Sequence, residues 1–456
     1  MKTPVAADLA KAVAQSRERD LPPKLRETME MLLVDIGGLA VAARETDYVR
    51  ATLQSWDSEG DVTAIGHARP LDAAGAAFVN GTAAHGEDFD DTFEGGPVHA
   101  GAVIVPALLA ASERRDLGGS DLLFGLAVGV EVMCRGSLVA PKRIHKAGFH
   151  PTAVLGAMGA AAGVAAAMRV DEVTFASAQG IAGSMASGII EYLAEGTSTK
   201  RMHPGWAAQA GIRAVALARA GFDGPRTVWE GEHGFLHAFA NSESGAWAEL
   251  VEDFGERWVT GTIAFKPYAC GTMIHPYIDC ARRLAPRLEG RLAQVKTITC
   301  DTAEGIVHRL WEPLRVKHEP QNAYAAKFSV PFCVSYALRH GFVGLEAFTD
   351  ANASDRDIRA VASKVGYRVD PANPYPNEYT GHLRVELTDG SVLEERQPHL
   401  RGGHREPLTR AELEEKFRGN CRYGGWDEGR IEAWLAFARN AFGDLGSNFS
   451  LSAFRG

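Results

Sequence analysis

One stretch limits the fold more than any other: "HPTAVLGAMGAAAGVAAAMRV", His150 to Val170. Alanine is the strongest helix former, so the run reads as a helix. Its side chains are too small to hold a neighbour away. Adjacent helices can therefore approach closely, which puts this one at the centre of a bundle. Its most apolar part, Thr152 to Met168, is shorter than the roughly 20 strongly apolar residues needed to span a bilayer. It therefore reads as a buried helix. The glycines of "GAMGAAAG" follow no strand and do not form GxGxxG, so a dinucleotide loop is a poor reading.

The helical pattern runs to about residue 262. Residues 26 to 44 read as an amphipathic helix. In "GGSDLLFGLAVGVEVMCRGSLVA" Ser120 is placed to cap the helix that follows, with Asp121 near its positive end. "DEVTFASAQGIAGSMASGIIEYLA" and "HPGWAAQAGIRAVALARAGF" complete the set, the second stopped at Gly221. From about 263 the period changes. "AQVKTITCDTAE" and "VASKVGYRVDP" read as strands, and "GHLRVELTDGSVLEERQ" as a hairpin turning at Asp389-Gly390. A helix falls around Phe328 to His340. After Pro407 the helical pattern returns in "TRAELEEKFRGN" and "EGRIEAWLAFARNAF". The division is thus helical over 1–262, α+β over 263–406 and helical again over 407–456.

Composition excludes several function classes. With 46% hydrophobic and 23% charged residues the chain resembles an ordinary globular protein with a large core. The net charge is −9 and Lys and Arg are scattered, so there is no basic stripe for nucleic acid. The first twenty residues are charged throughout and lack the apolar core of a signal peptide, so a cytoplasmic protein with no membrane partner is expected. Six cysteines are spread without a CxxC pair, which argues against structural zinc and for reduced thiols.

Charge gathers in "HGEDFDDTFEGGPVH", His85 to His99. Read as the end of a helix stopped by Gly95-Gly96-Pro97, it places His85, Asp88 and Thr92 on one face, with Asp91 at the edge and Asp90 nearly opposite. His99 opens the apolar run "HAGAVIVPALLAASE". The positive end of a helix favours neutral imidazole, the form a general base needs. Two other readings compete for this stretch. Acidic runs at helix ends are usually solvated surface. An aspartate-rich magnesium site needs a second acidic motif on another helix, and "NSESGAWAE" contains no aspartate.

Three further polar islands sit at element boundaries. His150 precedes Pro151; Lys200, Arg201 and His203 lie between two apolar helices; Lys266, Cys270 and His275 lie where the helical pattern gives way to α+β. Each has an ordinary structural explanation. His-Pro is a common helix entry, Lys-Arg is usually surface, Cys270 can be a small buried hydrophobe, and His275 a hydrogen-bonded core residue. Four islands at boundaries are harder to dismiss together, because small-molecule sites form preferentially at domain junctions.

These islands carry a resemblance. "NGTAAHGEDFDDTF", "VHAGAVIVPALLA", "GFHPTAVLGAMGAAAG", "GTSTKRMHPGWAAQAG" and "FKPYACGTMIHPYID", with "GPRTVWEGEHGF" and "AKFSVPFCVSYAL", are similar in content and order to the MmgE/PrpD family. That family includes 2-methylcitrate dehydratase, cis-aconitate decarboxylase and iminodisuccinate epimerase. The resemblance implies a mainly α fold: a large all-helical domain formed by both chain ends, with an inserted α+β lid domain. It also implies a homodimer, a small di- or tricarboxylate substrate, and no metal or organic cofactor. It places catalytic roles on Asp88, His99, His150, Lys200 and Lys266, and a substrate-binding role on Thr92. His203, Cys270 and His275 are expected to line the pocket. The chain departs from cis-aconitate decarboxylase at Gly271, where that enzyme has histidine, at Phe332, where it has tyrosine, and by one extra residue between Thr92 and His99. These departures count against decarboxylation of cis-aconitate itself. The reaction expected first is removal of a proton beside a carboxylate with loss of water. Epimerisation of an imino- or amino-dicarboxylate is the alternative, and decarboxylation the third. In that scheme Lys200 and Lys266 hold carboxylate oxygens, His99 or His150 removes the proton, and Asp88 orients a histidine.

Overall fold

The computed structural model describes residues 3–17, 19–443 and 449–456. It is 58% helical and 8% strand, hence mainly α. Two compact units divide it: Met1–Ala264 with Thr409–Gly456, and Phe265–Leu408.

In the first unit the Ala/Gly stretch is the helix Pro151–Ala167, every residue of which is buried. It packs between Gly119–Val139 and Thr199–Arg219. The approach is close enough to require glycine. A Cβ on Gly159 would stand 2.8 Å from the Gly129 carbonyl oxygen, and one on Gly163 2.7 Å from that of Gly125. Gly163→Val is therefore expected to cost about 1–3 kcal/mol through overpacking. The urea midpoint measures it, and an unchanged midpoint would mean that these helices separate freely.

Gly119–Val139 is itself long and apolar enough to cross a bilayer, which the sequence reading overlooked. It is a core helix, with 94% of its apolar window buried. It carries a fully buried ion pair, Arg135 Nε to Glu131 Oε1 at 2.6 Å. The Glu131 carboxylate also accepts from the Val259 and Thr260 amides and the Thr260 hydroxyl. A buried charge persists only when its remaining lone pairs are satisfied in this way. Ser120 does not cap this helix. Two glycines let the chain enter two residues earlier, so Gly118 is the N-cap and the helix begins at Gly119. Asp121 pairs with Arg17 and Arg169.

The C-terminal helices Arg410–Tyr423 and Glu428–Asn440 belong to this unit, and both pack on Pro23–Ala43. A capping box at Thr409 and Glu412 starts the first of them. Trp434 Nε1 donates to the Leu33 carbonyl at 3.1 Å. Lys416 Nζ lies 2.7 Å from the buried Asp35.

The second unit holds a four-stranded sheet in the order Val365–Val369, Val295–Thr302, Gly381–Leu387, Val392–Gln397. The first pair is parallel (Ile298 opposite Val365) and the other two antiparallel. Gly390 takes φ +85° in the hairpin turn, as an Asp-Gly connection demands. Helices His275–Leu284 and Val330–His340 pack together, the first of them also against the last two strands. All six cysteines are free and buried.

Candidate active site

The acidic stretch does not continue as a helix. Ala73–Gly86 ends four residues after Thr82, and Asp88 then takes φ +56°. The chain turns there and runs on as the short strand Thr92–Phe93, paired antiparallel with Ile263–Ala264. The shared helical face of His85, Asp88 and Thr92 is therefore corrected: the turn at Asp88 re-aims every carboxylate. Gly86 was the available signal. A Cβ there would fall 2.3 Å from the Tyr48 ring, and the helix gives way just beyond it.

Each aspartate of "DFDD" finds its own partner. Asp88 Oδ2 accepts from Lys200 Nζ at 2.9 Å, so it holds a lysine. Asp90, expected to point away, is fully buried, with Oδ2 2.7 Å from His85 Nδ1. Asp91 caps the helix Gly101–Arg115, its carboxylate accepting from the amides of Ala100 and Gly101 at 3.1 and 2.9 Å. The Asp91 carbonyl accepts from His99 Nδ1 at 2.7 Å. A carbonyl only accepts, so that nitrogen carries the proton, and in neutral His99 the lone pair sits on Nε2. The His99 amide in turn donates to the Thr152 hydroxyl of the central helix.

Four imidazoles form a row. Ring centroids are 5.0 Å apart for His99 and His85, 5.8 Å for His85 and His150, and 5.3 Å for His150 and His203. His150 enters as the N-cap of the central helix, and its Nδ1 lies 3.1 Å from His203 Nδ1 on the first turns of Thr199–Arg219. Burial, with the nearby His85 and Lys200, holds His150 well below the usual histidine range and lowers His203 to about 4. Both are neutral near pH 7. Arg201 does not join them; it lies over the Tyr48 ring at 4.5 Å.

That pair is expected to make the fold acid-labile. Below about pH 6.5 an unfolded histidine binds a proton that the native one refuses, so stability falls as pH drops toward 4. The slope is about 1.4 kcal/mol per pH unit per histidine. His203→Gln should flatten the dependence of the urea midpoint between pH 6.5 and 4.5; an identical slope would show that His203 is already charged in the native state.

His85, Asp90 and His99 have ligand atoms within 4.8 Å of one another, a spacing that suits a metal ion. The Nδ1 of His99 is committed to a carbonyl, and the Nδ1 of His85 to Asp90. Both contacts fix ring orientation and tautomer, as they do in hydrogen-bonded sets and in metal-ligating histidines alike.

In the second unit Lys266 is 2% exposed, and Cys270 and His275 are fully buried. Burial pushes the Cys270 thiol up, but the Cys333 thiol and the charges of His275 and Lys266 outweigh it and bring the group down to about 6. His275 Nε2 donates to the Cys270 carbonyl at 3.1 Å. Sequence reasoning missed Lys327, also 2% exposed, whose Nζ donates to the Ala269 carbonyl and lies 4.6 Å over the Phe348 ring. Phe332 is buried between Tyr336 and Phe348.

The MmgE/PrpD N-terminal domain matches residues 7–247 and the MmgE/PrpD C-terminal domain residues 268–434. The chain belongs to the MmgE/PrpD family, a family of lyase-type enzymes. Among its relatives, cis-aconitate decarboxylase of Homo sapiens is 30% identical over 380 residues, covering 80% of this chain and 76% of its own. The cis-aconitate decarboxylase-like protein oryM of Aspergillus oryzae is 27% identical over 438 residues, covering 91% and 90%. Cis-aconitate decarboxylase of Aspergillus terreus is 27% identical over 452 residues, covering 91% and 89%.

Proposed function

We propose that the chain removes a proton from the carbon beside a carboxylate of a small di- or tricarboxylate and eliminates water, without a metal or organic cofactor. The observation that carries this reading is the Lys200 ammonium in the same unit as a row of histidines of which two are kept neutral. A proton beside a carboxylate is weakly acidic, because ionisation adds charge to an anion. A neutral base and a fixed cation at the carboxylate oxygens lower that barrier.

In this reading His99 is the base. Its Nδ1–H is fixed on the Asp91 carbonyl, which leaves Nε2 to accept. The C–H bond breaks and its electron pair spreads into the carboxylate held by Lys200; that pair then returns to form the C=C bond as the neighbouring C–O bond breaks, and the proton on His99 leaves with the hydroxyl as water. His150, neutral and a weak base, serves as a hydrogen-bond donor to substrate. Thr92 binds substrate, as does His203. The resemblance gives Lys266, in the second unit, a carboxylate-holding role, with Cys270 and His275 as substrate-binding residues beside it in the chain. The resemblance further supports a homodimer, and the scattered Lys and Arg speak against a nucleic-acid partner.

A second reading, decarboxylation, is favoured by the relatives, which are named for cis-aconitate decarboxylation. Gly271 and Phe332 count against it, since by the resemblance they stand where the decarboxylase has a histidine and a tyrosine. Proton NMR in D₂O against methylcitrate, citrate, aconitate, malates and aspartate-derived imines separates the readings. Elimination is expected; CO₂ release would move the chain to the second reading, and inversion without elimination to an epimerase. Dialysis against a chelator should leave the rate unchanged, and a rate restored only by added divalent metal would overturn the metal-free scheme.

A further inference from the structure

We infer that His85 and Asp90 are positioning residues for His99, supplying the buried counter-charge for the proton that His99 removes. This rests on the proton abstraction proposed above. The resemblance assigns neither residue a role, and their arrangement argues for more than packing. His99 keeps 13% of its side chain exposed, whereas His85 and Asp90 keep none, so the pair lies inward of the base. Asp90 Oδ2 sits 2.7 Å from His85 Nδ1 and 3.8 Å from His99 Nδ1. One carboxylate therefore faces both rings. His85 Nε2 is buried and makes no hydrogen bond among the described residues. A ring kept for structure alone would ordinarily satisfy both nitrogens.

The surrounding charges are arranged to leave this role to Asp90. From the same loop, Asp88 is bound to Lys200 and Asp91 to helix amides. From the central helix and Thr199–Arg219 come His150 and His203, both held neutral. From Arg410–Tyr423 comes Lys416, bound to Asp35 of Pro23–Ala43 and to the Phe89 carbonyl. When His99 takes a proton at Nε2 it becomes a cation, and Asp90 is the carboxylate placed against the histidines. His85 Nδ1, 2.7 Å from Oδ2, keeps that carboxylate aimed. The logic is that of a buried acid behind a catalytic imidazole, with one ring inserted beside it.

The test uses Asp90→Asn and His85→Gln in the full chain. Asp90→Asn should lower kcat by about 10–100-fold, the usual loss for a group acting through another, with KM little changed. The ascending limb of the kcat/KM profile should move to lower pH, because the protonated base has lost its counter-charge. His85→Gln keeps a donor for Asp90 and the charge itself, so it should lose less rate and leave the limb in place. Histidine NMR between pH 4 and 9 gives a readout independent of turnover: His99 should hold its proton less well in Asp90→Asn. A folded Asp90→Asn with the parent's limb and the parent's His99 titration overturns the inference. If Asp90→Asn does not fold, His85→Gln decides, and an unchanged kcat rejects the role. A parent enzyme inactive on the whole panel sinks the proposed function, while the titration still decides the counter-charge.

Discussion

Lys200→Ala is expected to lower kcat/KM by about 10²–10³-fold, the loss typical of removing one preorganised donor from a developing oxyanion, roughly 3–4 kcal/mol. The side chain is 12% exposed and its ammonium sits 2.9 Å from Asp88 Oδ2, itself 5% exposed. Asp88 is held in the left-handed region at φ +56°, where aspartate is among the tolerated residues. The lysine is thus fixed before substrate arrives. The same pairing predicts a stability cost. Breaking a buried ion pair by removing one partner typically costs about 3–5 kcal/mol, because the other charge stays buried. The two losses separate in the double variant Lys200→Met with Asp88→Asn. It should recover most of the urea midpoint and none of the turnover. Recovery of both would reduce Lys200 to a structural counter-ion.

His99→Gln should cost about 10²–10⁴-fold in kcat, the span usually assigned to a general base. Exchange of the substrate's α-proton with D₂O should fall by the same factor. The fold should hold, since the His99 side chain is partly exposed and its bond to Thr152 is made by the backbone amide, which the substitution keeps. His150 offers the contrast. Burial keeps its ring from accepting a proton near neutrality, so its replacement should weaken substrate binding as well as turnover. If His150→Gln abolished exchange while His99→Gln kept it, the base would be reassigned.

Much of the fold was legible. Pro151–Ala167 is central because small side chains permit the close approach seen at Gly159 and Gly163. The hairpin at Gly390 and the stop at Gly221, φ +90°, follow from conformations that glycine adopts without a Cβ penalty. Local chemistry of that kind is written in a few neighbouring residues. Errors arose where one residue re-aims those after it. A helical register through His85 to Thr92 sends Asp90 outward; the turn at Asp88 sends it inward to His85. Lys327 was missed for another reason. Nothing within "AKFSVPF" distinguishes a buried lysine from a surface one; only the Ala269 carbonyl and the Phe348 ring, distant in sequence, do so.

The sequence by itself determined the helical centre, the change of period near residue 263 and the residue types available for proton transfer, because each depends on side-chain size and short-range periodicity. Only the tertiary structure decided which carboxylate serves which base. Asp88 to Lys200, Asp90 to His85 and Asp91 to a helix end are contacts made across folded chain, and their assignment turns on a backbone conformation at one aspartate.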